Sequence, residues 1–176
     1  MQLIIDNFEA LKHQTEVFDF ENPPCDPELL FHQMRDIMCT NRGIGLAAPQ
    51  VGLTHKMFVI GNPDDKDSCI AVYNPSIVSV SDETIPYEEG CLSFPQLFLH
   101  ITRPSSIEVT YQDYNGEHKK AIFTGMSARC FLHELDHMDG IVYTKKAKPL
   151  ALQMSLKKRN KLMERYRRAN ERLATR

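Results

Sequence analysis

The chain has 176 residues, 21 of them Lys or Arg and 23 Asp or Glu, with 42% apolar and 25% charged side chains, a globular composition that excludes disordered, collagenous and membrane-embedded classes. A chain of this length buries roughly 70% of the surface its unfolded form exposes, so it needs neither disulfides nor a structural metal merely to fold. The net charge of −2 joins an acidic body to a basic end: residues 145–176 hold 12 Lys and Arg against only Glu164 and Glu171, a local +10, which leaves −12 on residues 1–144 and excludes a uniformly basic nucleic-acid coat.

Residues 1–25 are irregular in pattern, with a short helix expected around Asp6 to His13 and a stop at Pro23-Pro24. The amino-terminal MQLIIDNFEALKH carries acidic groups where a signal or transit peptide needs basic ones. Asp26-Pro27-Glu28 starts a helix, because Asp caps free amides, Pro fits the first helical position and Glu suits the positive end of the dipole. Leu29, Leu30, Met34, Ile37 and Met38 recur at helical spacing on it, and it ends near Asn41-Arg42-Gly43. From Lys56 to Thr124 short apolar or alternating runs read as strands: Met57 to Ile60, Ile70 to Tyr73, Ile77 to Val80, Ile107 to Tyr111 and Ala121 to Phe123. Turn signals separate them at Gly61-Asn62-Pro63-Asp64, Asn74-Pro75 and Asp113-Tyr114-Asn115-Gly116, the last a hairpin. Helical spacing returns from Gly125 to Met138 and closes at Asp139-Gly140. A final helix, about Leu150 to Leu173, has Leu152, Leu156, Met163, Tyr166 and Leu173 on one stripe and positive charge around the rest. The expected architecture is α+β: antiparallel β-sheets around a central helix, a body over 1–149 and a basic helical extension of the same domain over 150–176.

Chemistry concentrates in His133-Glu134-Leu135-Asp136-His137. Four residues advance about 400° around a helix, leaving the two imidazoles on one face about 6 Å apart, where they can grip one metal ion. Glu134 can then act as general base on a metal-activated water and as general acid to the leaving group. A tetrahedral catalytic site needs a third protein ligand. No His follows His137, and the only later acids, Glu164 and Glu171, lie in the basic helix, so a thermolysin-like HExxH zinc peptidase is the alternative rather than the first reading. Cys91, in Glu88-Glu89-Gly90-Cys91-Leu92-Ser93, is the better donor. Cys25, Cys39, Cys69 and Cys130 read as small buried hydrophobes. An odd number of cysteines without paired spacing suits a reducing compartment, and no run approaches the ~18 apolar residues of a membrane span, so a cytoplasmic protein is expected.

Three blocks in order, Gly43-Ile44-Gly45-Leu46-Ala47-Ala48-Pro49-Gln50, Glu89-Gly90-Cys91-Leu92-Ser93 and His133 to His137, resemble the motifs of the peptide deformylases, which remove the N-terminal formyl group from newly made proteins. The resemblance implies that Cys91, His133 and His137 bind one divalent metal, Fe(II) first and Zn(II), Ni(II) or Co(II) as substitutes. It implies that Glu134 is the general acid/base and that Gln50 and the Leu92 amide hold the formyl oxygen. Ile44 and Gly45 would pair with the peptide main chain, with Glu88 and Glu89 on the opposite side. Ile44, Met126, Cys130 and His133 would line a methionine pocket, near which Arg129 falls. Leu132 stands where the family usually has Gln, and Lys145-Lys146 where it has Asp-Arg. The implied partners are N-formylmethionyl nascent peptides and, through the basic helix (Lys157, Lys158, Arg159), ribosomal RNA; no DNA and no membrane. A catalytically silent ribosome-associated relative is the remaining alternative.

Overall fold

The computed structural model describes residues 1–174, with side chains to Glu171; the stripe position expected at Leu173 lies outside those side chains. Helix α1 (Pro27–Thr40) begins where Asp26 accepts hydrogen bonds from the amides of Glu28 and Leu29 at 3.0 and 3.1 Å. It buries Leu30, Phe31, Met34 and Met38, whereas Leu29, expected on that face, is exposed, because it sits about 100° off the stripe that residues 30, 34 and 38 form. The strands are β1 (Gly45–Ala47), β2 (Met57–Asn62), β3 (Asp65–Val80), β4 (Thr84–Cys91), β5 (Phe94–Pro104), β6 (Ser106–Gln112) and β7 (His118–Thr124). They form a five-stranded sheet ordered β1-β2-β3-β6-β7 and a separate β4-β5 pair, antiparallel throughout.

Alternation in β2 explains the layering. Met57 and Val59 point to one side and pack with Met34 and Met38 of α1. Phe58 and Ile60 point to the other, joining Ala128 and Phe131 of α2 (Gly125–Met138), with the Phe58 and Phe131 rings edge to face at 4.9 Å. A strand apolar on both faces is thereby used on both. The third cluster joins Phe94, Leu97, Leu99 and Ile101 of β5 to Val142, Tyr143 and to Leu152 and Leu156 of α3 (Pro149–Ala174). Helix α2 therefore lies between the two sheets, and the first half of α3 docks on the second.

Three local expectations are corrected. Asn74-Pro75 is no turn: β3 runs through it, and Asn74 (φ 48°) forms a bulge where the β3–β6 register shifts. Asn tolerates that left-handed backbone, and a bulge accommodates a proline that cannot donate to the ladder. The Asn74 side chain also holds the amino-terminal segment, accepting from the Phe18 amide at 2.8 Å and donating to the Phe18 carbonyl at 2.9 Å. Asp6 to His13 is a set of turns around Phe8–Leu11 rather than a helix. Strands β4 and β5 were not anticipated; the Leu97-Leu99-Ile101 alternation continues with Arg103, a charge on the buried face. The Asp113–Gly116 hairpin is as expected, with Asp113 Oδ1 accepting from the Asn115 and Glu117 amides at 2.9 and 3.0 Å. Among the described residues no helix is long and apolar enough to cross a membrane.

Candidate active site

Helix α2 is buried along most of its length, so His133, Glu134, Asp136 and His137 are all held inside the protein. The two imidazoles lie with ring centroids 5.2 Å apart, nearly perpendicular. Cys91 is the last residue of β4; its pairing with Phe94 makes Leu92-Ser93 the connection to β5. That hairpin end brings the Cys91 Sγ to 3.4 Å from His137 Nε2, and the ligand atoms of Cys91, His133 and His137 all lie within 4.8 Å of one another. One thiolate and two imidazoles form a donor set for a divalent transition metal with a fourth position open. Burial opposes a charge on His133, but hydrogen bonds to Cys91 and Glu89 outweigh it and raise its pKa to about 10, whereas burial and the neighbouring His133 and Arg103 push His137 well down; a bound metal requires both rings neutral and so displaces the proton from His133.

Around this triad the polar groups are fixed one by one. Gln50, in the 3-10 turn Ala48–Val51, accepts from the Ala47 amide through Oε1 at 2.8 Å, which turns its NH₂ toward Cys91 Sγ (3.3 Å) and Ser93 Oγ (3.2 Å). Glu134 Oε2 is buried and has no hydrogen-bond partner among the described residues, and burial raises its pKa to about 7. An orphaned carboxylate oxygen beside a three-ligand cluster fits a metal site with a reactant water, since a purely structural acid would be paired. Gly45 allows this approach: a Cβ there would meet Glu134 Oε1 and would lie 2.7 Å from Cys130 Sγ. Position 45 must be glycine if Glu134 is to stay where it is.

Glu89 orients the ligand helix. Its carboxylate, 5% exposed, accepts from Arg103 Nε and Nη2 at 2.6 and 2.9 Å and from Arg129 Nη1 at 2.6 Å, and lies 3.1 Å from His133 Nδ1. With Nδ1 so engaged, Nε2 is the His133 nitrogen left to face a metal ion. Burial alone would raise the Glu89 pKa, but hydrogen bonds from His133 and Arg103 bring it down to about 2. Arg103 continues the chain to Asp136 (2.9 Å), which also accepts from Lys146 at 2.7 Å. Lys146, a departure from the family pattern, thus supports the site, and Leu132 contributes its carbonyl to Arg103 Nη1 at 3.3 Å. Replacing Glu89 with alanine is expected to cost about 3–5 kcal/mol of stability by leaving Arg103 and Arg129 buried without their carboxylate; an unchanged urea midpoint would contradict the cluster's role.

A cleft of about 610 Å³ opens onto this constellation. Its lining includes the expected Ile44, Gly45, Gln50, Glu88, Glu89, Cys91, Leu92, Met126, Cys130, His133 and Glu134. Within the first sheet β1 is an edge strand, and β4 pairs only with β5 among the described residues, so two strand edges flank the cleft. The Ile44 carbonyl accepts from Gly61 on the β2 side at 3.0 Å, so alternation turns the Gly45 main chain toward the cleft. Glu89 lines the cleft while its carboxylate is engaged by Arg103, Arg129 and His133. Arg129 also lines the cleft, with its guanidinium tied to Glu89 and to the carbonyls of Ile101 (2.9 Å) and Ile85 (2.5 Å) and lying 5.5 Å from the Tyr87 ring. Spacing and motif single out neither Arg103 nor Tyr87, nor Leu3 and Ile5, which bring the amino-terminal segment into the cleft, and Ser93, though inside the Glu89–Ser93 block, carries no expected role. A charge on the apolar face of the Leu97–Ile101 alternation is the signal for Arg103; no pattern marks Tyr87, Leu3 or Ile5.

Comparison with known proteins adds an independent finding. The sequence profile of the polypeptide deformylase family matches residues 2–153. A peptide deformylase of Synechocystis is 42% identical over 132 residues, 73% of this chain and 71% of that protein. One of Thermotoga petrophila is 40% identical over 137 residues, 78% of this chain and 80% of that protein. The crystal structure of a peptide deformylase from Synechococcus elongatus in complex with actinonin superimposes with a TM-score of 0.84 at 30% identity, covering 91% of this chain and 88% of that one.

Proposed function

The chain belongs to the peptide deformylase family, metal-dependent hydrolases that remove the N-terminal formyl group of polypeptides, and from that premise we propose that its ion is held by Cys91, His133 and His137, with Glu134 moving the proton. The observation that carries this reading is the convergence of those three donor atoms within 4.8 Å beside a buried carboxylate oxygen with no partner among the described residues. The donor set accepts Fe(II), which the family resemblance favours, as well as Zn(II), Ni(II) or Co(II). When bound, the ion supplies Lewis acidity, which brings the pKa of a water toward about 7. Glu134 takes the proton as the water oxygen adds to the formyl carbon, and returns it to the amide nitrogen as the C–N bond breaks, leaving formate and a free amino terminus. The Gln50 NH₂ and the Leu92 amide meet the carbonyl oxygen as it gains negative charge.

The peptide lies extended between β1 and β4, pairing with the Gly45 main chain next to Ile44, whose carbonyl is taken by Gly61, and passing Glu88 and Glu89. Its first side chain enters the pocket of Ile44, Met126, Cys130 and His133, to which Tyr87 is added. Product analysis of formyl-Met-Ala-Ser separates this reading from an internal peptidase: formate and intact Met-Ala-Ser are expected, and cleavage at Met-Ala or Ala-Ser would overturn it.

Residues 1–149 form the catalytic body and 150–176 its basic extension, in a cytoplasmic enzyme meeting nascent chains. The extension's exposed cations suit ribosomal RNA, with one revision. Lys157 and Lys158 face solvent, whereas Arg159 points inward onto Asp6, so it is withdrawn from the RNA-facing set. Reversing Lys157 and Lys158 to Glu is expected to weaken co-sedimentation with ribosomes, most at low salt, while sparing hydrolysis of short peptides; unchanged co-sedimentation would return α3 to a solvated face.

A further inference from the structure

The two ends of the chain meet beside the carbonyl-oxygen subsite. The Ile4 amide donates to the Gln50 carbonyl and the Asp6 amide to the Ser93 carbonyl, both at 2.8 Å. Residues 3–6 therefore run as a strap along the backbone of Gln50 and of the residue that accepts its side-chain hydrogen bond. The strap is gripped from α3: Arg159 Nη2 lies 2.6 and 2.7 Å from the two Asp6 carboxylate oxygens, and Arg159 Nε donates to the Pro95 carbonyl at 2.7 Å. One guanidinium thus joins the amino-terminal strap to β5, two residues beyond Ser93. Its side chain is only 10% exposed although that of Asp6 is 44% exposed, so this cation is held against the protein surface rather than extended into solvent.

We propose that Arg159 is a positioning residue: through Asp6 and Pro95 it clamps the strap and the Leu92-Ser93 connection against Gln50, holding the carboxamide in its reactive orientation. The inference rests on the reading of Gln50 as a donor to the formyl oxygen. Such a donor is effective only when already aimed at the developing charge, and a small misplacement is costly. A partly exposed ion pair adds little to global stability, so this pair acts mainly by fixing geometry. The amino-terminal residues, featureless as a sequence, acquire a function, and the docked half of α3 becomes a structural arm of the catalytic body.

The test is a mutant cycle in the full-length, metal-loaded enzyme with formyl-Met-Ala-Ser, reading kcat, KM and melting temperature for Arg159→Ala, Asp6→Ala, the double variant, Gln50→Ala and Gln50→Ala/Arg159→Ala. Arg159→Ala and Asp6→Ala are each expected to lower kcat about 3- to 10-fold with KM nearly constant, well short of the about 100-fold or greater loss from removing the donor itself. The double variant should be no worse than either single, and the Arg159 effect should vanish in the Gln50→Ala background. Should Arg159→Ala fail to fold, Arg159→Lys, which keeps the charge but not the two-pronged grip, is expected to show a smaller kcat loss with the same dependence on Gln50. A wild-type kcat in the folded Arg159 and Asp6 variants, or an undiminished Arg159 effect in the absence of Gln50, overturns the clamp. A wild-type kcat in Gln50→Ala instead removes the reading of Gln50, and the clamp falls with it.

Discussion

Replacing Glu134 with alanine is expected to leave the metal bound and to lower kcat by about 10²- to 10⁴-fold, the range that a positioned general acid/base contributes. Retention of the ion follows from geometry, because Glu134 is not among the three converging donors and His133 is held in place by Glu89 rather than by its neighbour. Loss of turnover follows from the buried, unpartnered Oε2: the other buried carboxylates near the triad, Glu89 and Asp136, are engaged by Arg103, Arg129, His133 and Lys146. Folding should not suffer, as the substitution removes a carboxylate that burial already disfavours in its charged form. Metal content by atomic spectroscopy, formate release and melting temperature on one preparation check all three; near-wild-type turnover would contradict the assigned role.

Cys91→Ser is expected to lose the metal and, with it, measurable activity. A serine hydroxyl is far less acidic than a thiol and is a harder, weaker donor, so the cluster keeps its shape but loses its anionic ligand. The affinity loss should exceed the about 10- to 100-fold typical of residues that merely orient ligands. The fold should survive, because Cys91 is only half-buried and its backbone place in the β4–β5 hairpin is unchanged. Dialysis against chelator followed by metal analysis distinguishes the outcomes, and a serine variant that holds one ion per chain as tightly as the wild type would contradict the ligand assignment.

Both experiments concern residues that spacing and motif had already singled out, and the reason is physical. Two imidazoles four residues apart on a helix meet by helical geometry alone, and the Asp26 cap, the α1 stripe and the Asp113–Gly116 hairpin are equally local. What stayed hidden depends on partners distant in sequence. Arg103 is 14 residues from Glu89 and 33 from Asp136 along the chain, so its place between them emerges only when β5 packs against α2. Asn74-Pro75 carries a turn signature, but Asn74 is held within a strand by its side-chain bonds to Phe18. The pairing of Asp6 with Arg159 spans 153 residues, beyond any periodicity. Its consequence is that a residue expected on the RNA-facing cationic surface is held against the amino-terminal segment instead.

The central claim is that one divalent ion, held by Cys91, His133 and His137, is required for deformylation. It is tested most directly by formate release from formyl-Met-Ala-Ser using protein purified under reducing, oxygen-free conditions, assayed before chelation, after it, and after stoichiometric return of Fe(II) or Zn(II). The expected result is about one ion per chain, rapid formate release, loss of both on chelation and recovery of both together on metal return. Formate release that persists at full rate in protein stripped of metal would contradict it.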